Sequence, residues 1–197
     1  MPLAKAIAVV MAAEVIGSAL SALNAWLTIG VMERIHAGDV PREHLVVFAR
    51  RMQALGVLEF VILVTAVVLF CMFMVRANRN ARSFGAVLAN SPGWAAGWFF
   101  VPIASWWKPY YAMKEIWQAS DAEAGTALNP PVPSLLPLWW WAYLAHLFVG
   151  GPFSQTSGPR QYGTMIVSSA LTIVAAVLAA MVVMRLARLQ ERRTRAA

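Results

Sequence analysis

Residues 54–75 have the sequence ALGVLEFVILVTAVVLFCMFMV, in which Glu59 is the one charged residue. As a helix this run would be about 33 Å long at about 1.5 Å per residue, which is enough to cross the roughly 30 Å hydrocarbon core of a bilayer. Ala6–Met32 and Thr164–Met184 are apolar runs of comparable length. The three runs predict three membrane-spanning helices.

The composition of the whole chain agrees with a membrane protein. Of its 197 residues, 60% are hydrophobic and 13% are charged, whereas soluble domains are about 45–50% apolar and about 25% charged. The net charge of +7 is typical of basic cytoplasmic loops, so it does not indicate a nucleic-acid partner. The single cysteine, Cys71, excludes an intramolecular disulfide.

Two shorter apolar segments leave the number of spans open. Leu135–Val149 is predicted as a fourth span, because Pro137 suits a first helical turn and Trp139–Trp141 supply an interfacial anchor. Residues 92–107 are too short and are interrupted by Pro102. They form either a re-entrant or interfacial element, which gives four spans, or a fifth span.

Positive charge favours four spans. The two alternatives place equal numbers of Lys and Arg in the cytoplasm, but residues 76–82 are purely basic and adjoin a span, which favours a cytoplasmic position for them. Both alternatives place the C-terminal tail in the cytoplasm and they differ in the side of the N-terminus.

The predicted fold is an all-α polytopic helical membrane bundle that forms one domain over residues 1–197. Residues 110–120 are predicted to form an amphipathic helix along the membrane, with Tyr110, Met113, Ile116 and Trp117 on its apolar side. The elements are spans at 6–32, 54–75, 135–149 and 164–184, the re-entrant segment 92–107, the amphipathic helix 110–120 and a basic tail 185–197.

The central part of the chain carries an ordered series of short motifs. They are an Arg79-Asn80 pair, Ser91-Pro-Gly-Trp94, Val101-Pro-Ile-Ala104, Lys108-Pro109 and Trp117-Gln-Ala-Ser120. This series resembles the bacterial domain-of-unknown-function family 4328. The resemblance implies a multi-span membrane architecture in bacteria, and it implies no established activity, substrate or cofactor.

A polar stripe follows one face of the first span. Glu14 aligns at helical spacing with Ser18, Ser21 and Asn24, and this face must point away from lipid. The stripe either packs against a neighbour such as the face of the last span that carries Ser168 and Thr172, or it forms a polar path or ligand site. We expect Glu59 to lie on a different face from Glu14, which argues against a two-carboxylate catalytic site.

A second candidate site is a polar cytoplasmic mouth next to the proline-broken segment. The alternative interpretation of these residues is a basic stripe that only contacts anionic lipid. The candidate residues are Arg76, Asn78, Arg79, Asn80, Arg82, Pro92, Gly93, Trp94, Trp98, Pro102, Lys108 and Pro109.

Catalytic and cofactor motifs are not recognised in the sequence. His146 is the histidine inside a predicted span, and without a second histidine at matching depth we interpret it as a helix-packing residue rather than a haem ligand. We therefore expect no enzyme activity, no cofactor and no metal site.

The first functional hypothesis is a non-enzymatic scaffold or lipid-contacting subunit of the bacterial inner membrane. The alternative is a small channel or transporter component that uses the re-entrant segment and Glu14, and a lipid-headgroup enzyme is a weaker third reading. The expected partners are anionic membrane lipids, a second copy of the chain or another membrane protein.

Overall fold

The computed structural model describes residues 1–38, 44–121, 131–150 and 159–196. Every regular element among these residues is helical, which confirms the all-helical prediction. The helices are α1 (Pro2–His36), α2 (His44–Ser83), α3 (Pro92–Gly97), α4 (Lys108–Ser120), α5 (Leu135–Gly150) and α6 (Pro159–Ala196), with 3₁₀ turns at Trp98–Phe100 and Ala104–Trp106.

Three helices are long and apolar enough to cross a membrane: α1, α2 and α6. They contain the three long spans predicted from the sequence, and each continues into polar residues at its ends. The 40 residues of α2 extend over about 60 Å, twice the thickness of the hydrocarbon core. By contrast, the 16 residues of α5 extend over only about 24 Å, so a fourth span there stays a prediction.

The chain contacts define two compact units, and each long helix contributes to both. The first unit contains Met1–Val10, Thr65–Trp140 and Leu178–Ala197, and the second contains Met11–Val64 and Trp141–Val177. Each unit is described separately below.

In the first unit, the segment between α2 and α4 is a broken chain rather than a straight helix. The α3 helix begins at Pro92 after the N-cap residue Ser91, whose hydroxyl oxygen accepts a hydrogen bond from the Trp94 amide at 3.4 Å. It is only six residues long and passes into the 3₁₀ turn at Trp98–Phe100. The run ends before Pro102, because proline cannot continue the hydrogen-bond ladder. Residues 92–107 therefore contain no helix of membrane-spanning length.

Aromatic contacts hold this segment in the first unit. The Phe99 ring lies 5.7 Å from the ring of Phe70 on α2 and 6.3 Å from the ring of Trp140 on α5. Trp140 Nε1 also donates to the carbonyl oxygen of Trp106 at 3.1 Å. The segment is thus fixed against both helices.

The α4 helix is amphipathic as its sequence suggests, but its apolar side faces the protein. Met113, Ile116 and Trp117 are buried within the structure, while Lys114 and Glu115 are half-buried. This apolar side packs within the first unit because the neighbouring helices offer it apolar surface there. The position of the helix along the membrane stays a prediction.

In the second unit, α5 packs against α6. The hydroxyl of Thr172 lies 2.9 Å from His146 Nδ1 and donates to the Ser168 carbonyl at 3.0 Å. The neighbour of Ser168 and Thr172 is thus α5, and His146 has the helix-packing environment expected from the sequence. Gly150 allows the close approach, since a Cβ built there would overlap Ser168 Oγ and lie 2.6 Å from its Cβ.

We predict that Gly150→Ala destabilises the protein by about 1–3 kcal/mol, because the added methyl group forces α5 and α6 apart. The matched control is Gly163→Ala in α6, where a Cβ would meet nothing within 4 Å. That control should gain about 0.5–1 kcal/mol through its better helix propensity. Thermal unfolding in detergent, followed by circular dichroism, measures both, and equal midpoints would contradict this packing.

Candidate functional site

The polar end of the first unit is organised around Asn90. The backbone carbonyl of Asn90 accepts hydrogen bonds from Asn78 Nδ2 at 3.1 Å and from Arg82 Nη2 at 2.8 Å. Its side-chain oxygen accepts from Trp98 Nε1 at 2.7 Å, and its Nδ2 donates to Glu115 at 3.2 Å. We call these residues the Asn90 cluster: Asn78, Arg82, Asn90, Trp98 and Glu115.

This cluster closes the loop that follows α2. Arg82 Nε donates to Asn78 Oδ1 at 3.0 Å, and Arg82 Nη2 also donates to the Leu88 carbonyl at 3.0 Å. A guanidinium group has five donors in a fixed fork, which suits it to several acceptors on one turn of chain. The side chain of Arg82, which belongs to the basic stripe of the sequence, therefore binds the loop to the end of α2.

Trp98 connects the cluster to two neighbouring side chains. The ammonium group of Lys108 lies 5.3 Å from the centroid of the Trp98 ring, a cation–π contact. The Trp94 ring lies 4.7 Å from the Trp98 ring. Gly97 leaves space for Trp94, since a Cβ at Gly97 would lie 3.3 Å from Trp94 Cε3.

A second group of hydrogen bonds joins α2, α4 and α6. Gln190 Nε2 donates to the Ala77 carbonyl at 2.9 Å and to Ser120 Oγ at 3.0 Å, and Gln190 Oε1 accepts from Asn80 Nδ2 at 2.9 Å. Gln190 is 5% exposed. We call Ala77, Asn80, Ser120 and Gln190 the Gln190 cluster.

The tail of α6 also contacts the end of α4. Arg193 Nη1 donates to the Ala119 carbonyl at 2.6 Å, and its guanidinium lies 5.1 Å from the centroid of the Phe84 ring. A cation at a helix C-terminus is favourable because it neutralises the exposed carbonyl end of the helix dipole. This arginine of the basic tail therefore has a structural contact.

The structure brings together some residues of the predicted mouth and separates others. Asn78 and Pro109 are fully buried, so these side chains pack inside the protein and do not line an opening. Arg76 and Arg79 are exposed. Arg82 is exposed as well, so the three arginines keep their stripe, and Arg82 is the one of them seen to bond to the loop.

The other predicted mouth residues lie around this end in varied environments. Asn80 joins the Gln190 cluster rather than the Asn90 cluster. Pro92 is half-buried, and Gly93 and Pro102 are exposed. Trp94, Trp98 and Lys108 form the stacked group described above.

Sequence reasoning did not identify Asn90, Glu115 or Gln190 as site residues, and it singled out Ser120 only as the last residue of a motif. Asn90 directly precedes the Ser91-Pro-Gly-Trp94 motif. Its position next to this motif could have marked it as a candidate site residue. The sequence around Gln190 gives no such signal, because the hydrogen-bond partners of Gln190 lie 70, 110 and 113 residues away in the chain. Such a register between distant helices is not encoded in a local pattern.

The polar stripe of α1 lies mainly in the second unit. Ser18 and Asn24 are buried, while Glu14 and Ser21 are half-buried. Thr28 continues the stripe and donates to the Asn24 carbonyl at 2.7 Å. Among the described residues, Glu14 Oε2 and Asn24 Nδ2 are buried side-chain atoms with no hydrogen-bond partner.

Glu59 lies close to this stripe. A Cβ built on Gly17 would be 3.5 Å from Glu59 Cγ and 3.9 Å from its Oε1, and Gly17 is one helical turn from Glu14. The expectation that Glu14 and Glu59 occupy different faces is therefore wrong.

Within the described ranges, no group of three or more His, Cys, Asp and Glu side chains could hold a metal ion. The two candidate sites that remain are the hydrogen-bonded end of the first unit and the α1 stripe of the second.

We predict that Arg82→Gln destabilises the protein by about 1–2 kcal/mol, because three acceptors lose a charged donor. Arg79→Gln removes the same charge from an exposed position on the same helix and should leave stability within about 0.5 kcal/mol. Chemical unfolding in detergent compares the two. Limited proteolysis at residues 84–91 should be faster in Arg82→Gln alone, and equal behaviour of the two variants would contradict the loop-holding role.

The comparisons with known proteins identify a family. No curated protein and no solved structure matches the chain. A family model described as a domain of unknown function, DUF4328, matches residues 39–192. This range includes both the Asn90 and Gln190 clusters, and it confirms the resemblance seen in the sequence motifs. The chain is a membrane protein that belongs to the DUF4328 family.

Proposed function

We propose that the protein is a non-enzymatic scaffold or interaction subunit of the bacterial inner membrane that contacts lipid. The observation that carries this proposal is the closed bonding of Asn90. Its carbonyl oxygen accepts two hydrogen bonds, which uses both of its lone pairs. Its side chain is also bonded on both sides. Polar groups bonded in this way fix a surface rather than bind and release a substrate.

The proposed lipid partner is anionic. Arg76 and Arg79 are exposed near the end of a membrane-spanning helix, where Lys and Arg attract acidic headgroups. Trp94, Trp106 and Trp107 are exposed in the same unit, and tryptophan is favoured at the membrane interface. The positive-inside rule supports a cytoplasmic position for this end and for the C-terminal tail.

Protein partners would use the apolar helix faces. Val57, Val61, Val64 and Val68 recur at helical spacing on α2 and are exposed. In a bilayer such a face is covered by lipid, by a partner membrane protein or by a second copy of the chain. In the proposed role, partners bind to this apolar face of α2. The hydrogen-bonded polar end of the first unit forms a fixed surface at the membrane interface.

We predict that anionic lipid binding depends on Arg76 and Arg79. An arginine near the membrane surface strengthens binding to acidic lipid about five-fold, so Arg76→Gln/Arg79→Gln should weaken binding of phosphatidylglycerol roughly 25-fold at low salt. Binding is measured by titrating nanodisc-embedded protein with the lipid. Stability in phosphatidylcholine alone should equal that of the unmodified protein, and an unchanged affinity would contradict the lipid-contact role.

A second candidate function, a small channel or transporter component, is favoured by a different observation. Glu14 Oε2 and Asn24 Nδ2 are buried without a partner among the described residues, and Glu59 lies beside the same helix face. Ionisable residues inside a membrane often mark a proton or cation path. This function would place the working groups in the second unit.

We predict that proteoliposomes show no proton or cation flux above that of empty liposomes, because the scaffold role requires none. Measurements under imposed proton and sodium gradients test this with the unmodified protein, Glu14→Gln and the control Glu33→Gln, which removes an exposed carboxylate near the end of α1. Flux that is lost in Glu14→Gln and kept in Glu33→Gln would reject the scaffold proposal in favour of transport.

A further inference from the structure

Ile103 has a rare backbone conformation at an exposed position. Its φ is 65° and its ψ is −55°, and the amide of Ala104 donates to the Pro102 carbonyl at 2.7 Å. This is a classic γ-turn, a rare and strained backbone conformation. The strain is greatest for a β-branched residue such as isoleucine, which disfavours a positive φ. Despite the strain, the Ile103 side chain is 66% exposed, so its apolar surface has no cover within the protein.

Many of the backbone amides around this turn are paired within the protein. The amides that donate hydrogen bonds within residues 98–107 are those of Val101, Ala104, Ser105, Trp106 and Trp107. Pro102 has no amide hydrogen to satisfy, and the Trp106 carbonyl accepts from Trp140. Non-helical backbone tolerates membrane depth only where its polar groups are paired by protein. We call residues 98–107 the Ile103 turn.

The contact between Phe99 and Phe70 gives the depth of this turn. Phe70 lies six positions before Arg76 on α2, which is about 9 Å along the helix axis. A headgroup layer is only about 5–8 Å thick on each side of the hydrocarbon core. If Arg76 lies among the headgroups, then Phe99 reaches the hydrocarbon, and Ile103 lies between Phe99 and the anchored Trp106 in the chain.

We propose that the Ile103 turn inserts into one leaflet of the membrane and binds phospholipid, with Ile103 and Phe100 in contact with acyl chains. Phe100 is 67% exposed and supplies a second apolar surface at the turn. Lys108 follows the turn and lies over Trp98, whose indole N–H bonds to the polar Asn90. An apolar tip with a cation at its base complements the acyl chains and the phosphate of a lipid.

Phospholipid is favoured over a protein occupant because of the positive charge of Lys108 at the base of the turn and because of the depth inferred from Phe99. In the same unit, Val68 and Met72 on α2 are also exposed, as expected of a helix that faces lipid. Insertion rests on the membrane nature of the chain and holds for a scaffold and for a transporter alike. Its failure would therefore be distinct from failure of the proposed function.

Spin labels at single cysteines test the insertion in vesicles of phosphatidylcholine and phosphatidylglycerol. In a Cys71→Ser background, labels are attached to Ile103→Cys and Phe100→Cys at the turn. The aqueous reference is Val87→Cys, at a loop residue that is 97% exposed, and the lipid reference is Val68→Cys on α2. Power saturation with oxygen and with a water-soluble nickel chelate measures the phase around each label.

We expect the ratio of oxygen to nickel accessibility at residues 100 and 103 to match that at residue 68 and to be several-fold higher than at residue 87. A ratio at both turn positions equal to that at residue 87 would place the turn in water and overturn the proposal. Low accessibility to both reagents would show that protein covers the turn, either a second copy or a partner, and would overturn it too. Thermal unfolding confirms that each variant is folded.

Discussion

Backbone polar groups in hydrocarbon must find partners within the protein, and under the proposed insertion this constraint applies to the segment between α2 and α4. A straight helix would satisfy it, but Pro102 prevents one. The chain instead uses two 3₁₀ turns and short-range amide bonds. The carbonyl of Trp106 is bonded by an indole of α5. The position of α5 in the first unit is thus coupled to the break in the chain.

Tertiary hydrogen bonds then hold this broken segment at the polar end of the long helices. The Asn90 cluster joins the end of α2 to the loop, to Trp98 and to α4. The Gln190 cluster joins α2, α4 and α6 through one buried amide side chain. A typical hydrogen bond contributes only about 0.5–1.5 kcal/mol, but loss of one partner of a buried group costs about 1–3 kcal/mol. Closed clusters of this kind therefore favour one arrangement strongly over its alternatives.

Local sequence patterns predicted the elements and failed at their contacts. Apolar run length identified α1, α2 and α6 because hydrocarbon thickness sets a minimum length. The periodicity of residues 110–120 marked the apolar side of α4, but it did not reveal that Met113 and Ile116 face protein rather than lipid. Both environments are apolar, so the pattern is the same in each.

Long-range contacts were beyond the reach of these patterns. Arg82 has the same spacing as Arg76 and Arg79, yet it alone of the three is seen to bond to the loop, because the direction of the returning chain decides which arginine meets it. Glu59 was placed on the wrong face relative to Glu14, since the rotation of one helix against another depends on packing residues such as Gly17. The motif series identified the family without specifying any of these contacts.

The two candidate sites differ in how their polar atoms are satisfied, and this difference assigns them to different kinds of function. The backbone carbonyl of Asn90 and both the oxygen and the nitrogen of its side-chain amide are hydrogen-bonded. A new ligand at Asn90 would therefore have to break existing hydrogen bonds. Glu14 and Asn24 each hold a buried atom with no partner in the described chain, and such an atom gains free energy from any proton, ion or polar group that reaches it. The proposed scaffold role, which requires a fixed surface, is therefore placed in the first unit. A function that requires exchange of ligands would have to use the second unit, where residues 14–24 lie outside the range matched by the family.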